Sequence, residues 1–311
     1  MNRKYKAVLV LSENWSLSPE PSLRQLVTLA SESEALGVDG VMMSDHVVLG
    51  TSSGSEGPPF NIREYAYPGN QDPNSPWPSP YIMLSAIAAN TTSLRLIVGA
   101  LIAPLRNPLV SAKDLATLDQ LSEGRLVVLP TVSWHKEEFD AVGIDFSSRG
   151  AILDEQLDIW HRAWTQSPME FHGKFFDINS VWCSPKPFRS EGPTLWFGGS
   201  TLHAAVLRRM SKYGRGFNPL GQPLKEELDV LKEALVVNGR SINEIEMVGG
   251  IRGAFTSPDS VADLDEALEG LEAQISSGYT TFCYKPSMFT DDFSEVHAIS
   301  KRIVDTLNRY N

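Results

Sequence analysis

Short apolar or β-branched runs alternate with amphipathic stretches eight times along this chain, a beat that predicts an α/β fold with a single (β/α)8 TIM barrel spanning residues 1–311 as one domain. Two stretches break the beat and predict insertions: a long loop at 50–80 after the second strand, and a small hairpin at 170–183 before the fifth. Parallel strands joined through helices make right-handed crossovers, and eight such units within about 250 residues plus insertions close into a barrel.

In chain order, KAVLVLS predicts the first strand and leads to a helix over 21–36. VDGVMMS leads past the long loop to a helix over 80–90, LRLIVGALI to 108–122, and RLVVLPTVS to 149–165. TLWFGGS then precedes a helix over 201–213, GRGFNP one over 222–238, IEMVGGIRG one over 261–277, and YTTFCYKP one over 291–309. The 50–80 loop holds seven of the chain's 20 prolines and four glycines, so it should be irregular, exposed and stiff in places. A loop of that length in a compact domain commonly serves as a lid. EFHGKFFDINSVWC reads as a hairpin turning at His172-Gly173-Lys174.

The 311 residues, 42% of them hydrophobic, suffice for a sizeable core. Lys plus Arg number 27 against 38 Asp plus Glu, a net of −11 with no dense basic tract, which argues against nucleic acid or an anionic membrane as partner. A small-molecule substrate is the default ligand. The apolar run Ala7–Leu11 is too short for a signal h-region, and no window approaches the roughly 18 apolar residues of a membrane helix. Cys183 and Cys283 lack metal spacing, and the six histidines form no HxH or HExxH, so a cytoplasmic protein without a metal site is expected.

Such barrels build their active sites at the C-terminal strand ends. There the second strand stops abruptly in Ser44-Asp45-His46. His46 is either a satisfied structural histidine or a group poised to exchange a proton near neutral pH. Asp45 is either a cap on the loop backbone or a direct ligand. Gly99, in LIVGALIAPL, marks tight packing or a backbone approach to a ligand. Trp134 ends the fourth unit's TVSW, where its face can pack on a flat ring or into the core; His135, next along, should be solvated. Glu137 and Glu138 fall in a first helical turn, where negative charge is favourable without any chemistry. The Gly198-Gly199-Ser200 run is either an anion cradle at a helix N-terminus or a turn closed by a Ser200 N-cap.

Taken together, GVDGVMMSDH at 37–46, the PWPSPYIML…SEGRL stretch at 76–126, WHKEEF…HRAW at 134–164 and the CSPKPF-to-LWFGGS run at 183–200 resemble the bacterial luciferase-like flavin and deazaflavin oxidoreductases, closest to the coenzyme F-420 branch. The resemblance covers nearly the whole chain. It implies a (β/α)8 barrel, usually dimeric, with FMN or F-420 at the strand C-termini. By that resemblance His46 is the strand-two histidine beside the reactive ring. Gly99, Ala100 and Leu101 form the bulge, often with a non-prolyl cis peptide, that backs the ring. Gly198, Gly199 and Ser200 lie along the cofactor tail or phosphate. The chemistry of the residues themselves adds Asp45, Thr131, Ser133 and Trp134 as cofactor-binding candidates. One departure stands out. Relatives carry GxGxG before the tryptophan, whereas this chain has Leu129, Thr131 and Ser133, which restricts backbone approach while offering hydroxyl donors at the last two.

Three functions are compatible with these residues. The first is F-420-dependent hydride transfer to or from a small organic substrate beneath the 50–80 loop. The second is an FMN-dependent monooxygenase supplied by a partner flavin reductase. The third is a degenerate, non-catalytic relative that binds flavin weakly.

Overall fold

A computed structural model describes residues 3–17, 22–199, 201–219, 221, 223 and 225–311, and among these described residues ten strands form. They are β1 (Lys6–Val10), β2 (Gly40–Met43), β3 (Arg95–Ile102), β4 (Leu126–Thr131), β5 (Met169–His172), β6 (Asp177–Val181), β7 (Thr194–Gly199), β8 (Gly216–Pro219), β9 (Glu246–Ile251) and β10 (Thr281–Tyr284). Eight of them close into a parallel barrel in the order β1-β10-β9-β8-β7-β4-β3-β2, and β5 and β6 pair antiparallel as the expected hairpin. The helices are α1 (Leu23–Ala35), α2 (Pro80–Asn90), α3 (Pro108–Leu121), α4 (Lys136–Ala141), α5 (Arg149–Thr165), α6 (Ala204–Tyr213), α7 (Lys225–Val237), α8 (Leu264–Glu269), α9 (Leu271–Ser276) and α10 (Val296–Asn308).

Local chemistry sets the helix starts. The Ser22 side chain accepts from the Gln25 amide to open α1, and Asn107 accepts from Leu109 and Val110 ahead of Pro108 in α3. Two expectations need correction. The helix expected over 261–277 is interrupted at Gly270, giving α8 and α9, because glycine is a poor helix former. The helix expected from 201 starts at Ala204, with His203 in the N-cap position. Ser200 itself lies outside the described residues.

Two compact units can be distinguished by internal contacts. The first comprises Met1–Met42, Phe60–Tyr65 and Thr194–Asn311; the second comprises Met43–Pro59 and Ala66–Pro193. In the first, Val8, Phe282 and Tyr284 are fully buried and α10 packs on β1. In the second, β3 and β4 pair and α3 packs on α5. The α3–α5 contact is keyed by polar edges of large side chains: Trp160 Nε1 donates to Ser111 Oγ at 2.9 Å and Trp164 Nε1 to the Ala112 carbonyl at 2.9 Å. The 50–80 loop is irregular apart from a single 3-10 turn at Thr51–Gly54. Among the described residues, no helix is long and apolar enough to cross a membrane.

Candidate active site

The second strand ends as β2 runs into Ser44-Asp45-His46, and within the second unit those side chains meet partners contributed from far along the chain. His46 Nδ1 lies 3.3 Å from Glu138 Oε2, and the Glu138 side chain is completely buried. Glu138 Oε1 accepts the Val47 amide at 2.6 Å and the Val48 amide at 3.4 Å. One carboxylate therefore orients the imidazole and fixes the backbone that follows it. The His46 ring stands edge-on to Trp77, with centroids 4.8 Å apart, and to Trp134 at 6.2 Å.

Asp45 is also buried, and its carboxylate serves the backbone of β3. Its Oδ2 accepts the Ile102 amide at 3.0 Å, while Arg106 donates to Oδ2 at 2.7 Å and to Oδ1 at 2.9 Å. Arg106 also donates to the Ile102 carbonyl at 3.1 Å, so the bidentate pair clamps the chain just after the bulge. The bulge itself is present. Gly99 pairs with Leu129 and Leu101 with Pro130, leaving Ala100 as the extra residue, and the Gly99–Ala100 peptide is cis. Pro130, without an amide proton, is tolerated inside a barrel strand because it stands opposite this irregularity. Gly99 and Ala100 are partly accessible in a strand whose centre is buried, whereas Leu101 is in the core. Tyr81 lies beside the clamp, its ring 5.4 Å from the Arg106 guanidinium, and burial pushes its hydroxyl well above the usual phenol range.

At the end of β4, Thr131, Ser133 and Trp134 are all partly accessible. Ser133 adopts φ 56°, the left-handed region that favours glycine. The backbone conformation associated with a glycine is therefore kept although the residue is serine. His135 corrects the expectation of a solvated residue: its side chain is fully buried, its ring lies 4.9 Å from that of Trp134, and Nε2 accepts the Gly50 amide at 2.7 Å. With Nε2 accepting, the neutral ring carries its proton on Nδ1, which is buried without a hydrogen-bond partner. Burial draws the His135 pKa below its ordinary value, against the pull of Glu138 and Glu137. Glu137 accepts from the Ser52 amide at 3.0 Å and from the Ser52 and Thr51 hydroxyls at 3.1 and 3.3 Å. Those bonds, led by the Ser52 amide, hold its pKa down.

In the first unit, β7 ends at Gly198-Gly199. A Cβ on Gly198 would lie 1.9 Å from the Asn218 carbonyl oxygen of β8, so the close approach of the neighbouring strand already demands a glycine there. Gly199, with φ 154°, borders a cleft together with Thr201, Leu202, Phe217, Pro219 and Glu227. Within that cleft Glu227 Oε1 accepts the Leu202 amide at 3.1 Å. A carboxylate of the chain thus holds one amide of the candidate anion cradle.

A model of the luciferase-like monooxygenase family matches residues 7–302. The chain belongs to the luciferase-like monooxygenase family. Among sequence relatives of this family member, an FMNH2-dependent dimethylsulfone monooxygenase of Pseudomonas putida is 27% identical over 198 residues, 62% of this chain and 54% of that protein. The matched region therefore spans about half of that relative's length. Among solved structures, the monooxygenase RslO1 of Streptomyces bottropensis superposes with a TM-score of 0.74 at 20% identity, covering 98% of this chain and 100% of that one. An F420-dependent secondary alcohol dehydrogenase gives a TM-score of 0.72 at 15% identity, covering 98% and 99%. Both likenesses are of fold.

Of the residues expected at the site, Asp45, His46, Gly99, Ala100, Leu101, Thr131, Ser133 and Trp134 all fall in the second unit, while Gly198 and Gly199 fall in the first. Sequence reasoning missed Trp77, Arg106, His135, Glu137 and Glu138. The available signal was the proximity of WHKEEF to the end of a barrel strand, which weighs more than the favourable dipole position of its glutamates. Among the described residues, no group of His, Cys, Asp and Glu is placed to hold a metal ion.

Proposed function

We propose that this family member is an oxidoreductase that holds coenzyme F-420 at its strand C-termini and moves hydride between that deazaflavin and a small organic substrate. The carrying observation is the His46–Glu138 pair, an oriented imidazole flanked by Trp77 and Trp134 at the end of a barrel strand. The residues present fit a flat tricyclic ring. Gly99 and Ala100 offer accessible backbone at the bulge, Trp134 an aromatic face, and Thr131 and Ser133 hydroxyl donors.

When bound, the cofactor supplies the hydride chemistry. The protein's contribution is orientation, water exclusion and proton handling. Glu138 engages His46 Nδ1 and leaves Nε2 as the nitrogen able to give or take a proton. Asp45 and Arg106 hold the bulge against which the ring would rest. The start of the 50–80 loop is tied by Glu137, Glu138 and His135, which favours a covered site.

A second reading, an FMN-dependent monooxygenase fed by a separate flavin reductase, draws support from the Pseudomonas putida relative. A homodimer belongs to the same proposal and rests on family resemblance.

The test is a titration of the purified protein with F-420 and, separately, FMN, read by tryptophan quenching and cofactor absorbance. Preferential F-420 binding is the expected result. Preference for FMN, with oxygen uptake when reduced FMN is supplied, moves the assignment to the monooxygenase. Binding of neither cofactor overturns both and leaves the non-catalytic relative.

A further inference from the structure

The inner face of the first unit carries a cation for which the preceding account has no use. Tyr284, the last residue of β10, sends its hydroxyl to Ser300 Oγ of α10 at 2.8 Å and so faces the helix layer. Side chains alternate along a strand, so Lys285 faces the opposite way, at the C-terminal end where these barrels hold ligands. Lys285 is fully buried. Its Nζ donates to the Glu64 carbonyl at 2.7 Å and lies 5.2 Å from the centre of the Tyr65 ring. Among the described residues it has no ion-pair partner, although the Glu13 and Glu64 carboxylates are close enough to attract it. Burial brings its pKa down to about 8, so much of the ammonium persists at neutral pH.

A buried ammonium with one hydrogen bond and no carboxylate in direct contact is costly, and such groups are found where a ligand completes them. A second cation, the exposed Arg252, lies near the same ring. Arg252, one residue past β9, lies 5.9 Å from the same Tyr65 ring, and β9 and β10 are neighbours in register with Ile251 opposite Tyr284. What covers Lys285 is the segment 60–65, held to the same unit by polar bonds. Asn61 Nδ2 donates to the Ser257 and Ser260 carbonyls at 3.0 and 2.8 Å, and Arg63 forms a two-pronged pair with Asp291.

We propose that Lys285 anchors the carboxylate of an organic acid, and that the Glu64 carbonyl occupies the carboxylate's place until the acid binds. The oxidoreductase reading is needed only to call this acid a substrate; the binding site stands on its own.

The experiment is calorimetric titration of the full chain with propionate and benzoate against propionamide and benzamide, near neutral pH. The acids are expected to bind and the amides not. Lys285→Met, which replaces a buried charge by an apolar chain of similar length and so should fold, is expected to weaken acid binding about tenfold or more. Asp291→Asn, which loosens the 60–65 segment without touching Lys285, is expected to keep the discrimination. Equal binding of acid and amide, no acid binding at millimolar concentration, unchanged acid binding in Lys285→Met, or equal loss in Asp291→Asn each overturns the proposal. Cofactor titrations on the same samples report separately: acid binding without cofactor binding removes only the role of substrate.

Discussion

Replacing Glu138 tests the central geometry, because its two oxygens do different work. Oε1 accepts the Val47 amide at 2.6 Å and the Val48 amide at 3.4 Å, while Oε2 meets His46 Nδ1 at 3.3 Å, all with the side chain fully buried. Glu138→Ala removes the acceptor of the Val47 and Val48 amides, worth about 1–3 kcal/mol. It also removes a charge-assisted bond to the imidazole and opens a small cavity, so the expected total is about 3–5 kcal/mol. Glu138→Gln keeps the shape and one acceptor and loses the charge, for an expected cost of about 1–2 kcal/mol. Urea denaturation of the two variants and the parent reads these values directly. In turnover assays Glu138→Gln should lower kcat by about tenfold with cofactor affinity nearly unchanged, since the imidazole is misoriented rather than removed. A Glu138→Ala variant within about 1 kcal/mol of the parent would refute the reasoning, because neither the loop amides nor the imidazole could then depend on that carboxylate.

Three further outcomes are expected. Ser133→Gly should stabilise the fold by about 1 kcal/mol, since glycine accepts the φ of 56° that serine adopts at a cost; a lower denaturation midpoint would count against this. Gly198→Ala should destabilise by about 3 kcal/mol, because its Cβ would sit 1.9 Å from a backbone oxygen of β8; calorimetry should show a melting temperature lower by several degrees. For His135, whose folded pKa is lowered, the folded state favours the neutral ring. Its contribution is complete above about pH 6.5 and is lost as pH falls from there through the folded pKa, so the parent should lose more stability than His135→Gln between neutral and mildly acidic pH.

Much of the barrel was legible because its signal is periodic: apolar runs such as KAVLVLS and LRLIVGALI carry their own length and spacing. The hairpin at 170–183 was legible for the same reason, with Gly173 at its turn. The interruption at Gly270 was not, since one glycine inside a helical pattern leaves the helix itself as the better expectation. The positions of His46 and Trp134 just past strand ends, and of Gly99 inside the third strand, could be read from the sequence. Their partners could not. Glu138 lies 92 residues from His46 and Gly50 85 residues from His135, and nothing local in KEEF distinguishes a buried acceptor from a solvated first turn. His135 looked solvated because burial of one side of a short helix is decided by whatever loop lies over it.

That same long-range chemistry explains how a proline-rich segment becomes a defined structure. Outside regular elements, backbone amides need acceptors from elsewhere, and an irregular loop near a barrel mouth cannot leave them buried and bare. Here side chains at 135–138 supply acceptors to Val47, Gly50 and Ser52, so the start of the 50–80 loop is organised by residues just past β4. Its middle, 60–65, is organised by Asn61 and Arg63 and by the ammonium of Lys285, which donates to a loop carbonyl. A charge used in this way is a poor choice if holding the loop is its whole purpose, because a neutral donor would do the same without the desolvation cost. A lysine at that position is intelligible when the carbonyl is only its interim partner.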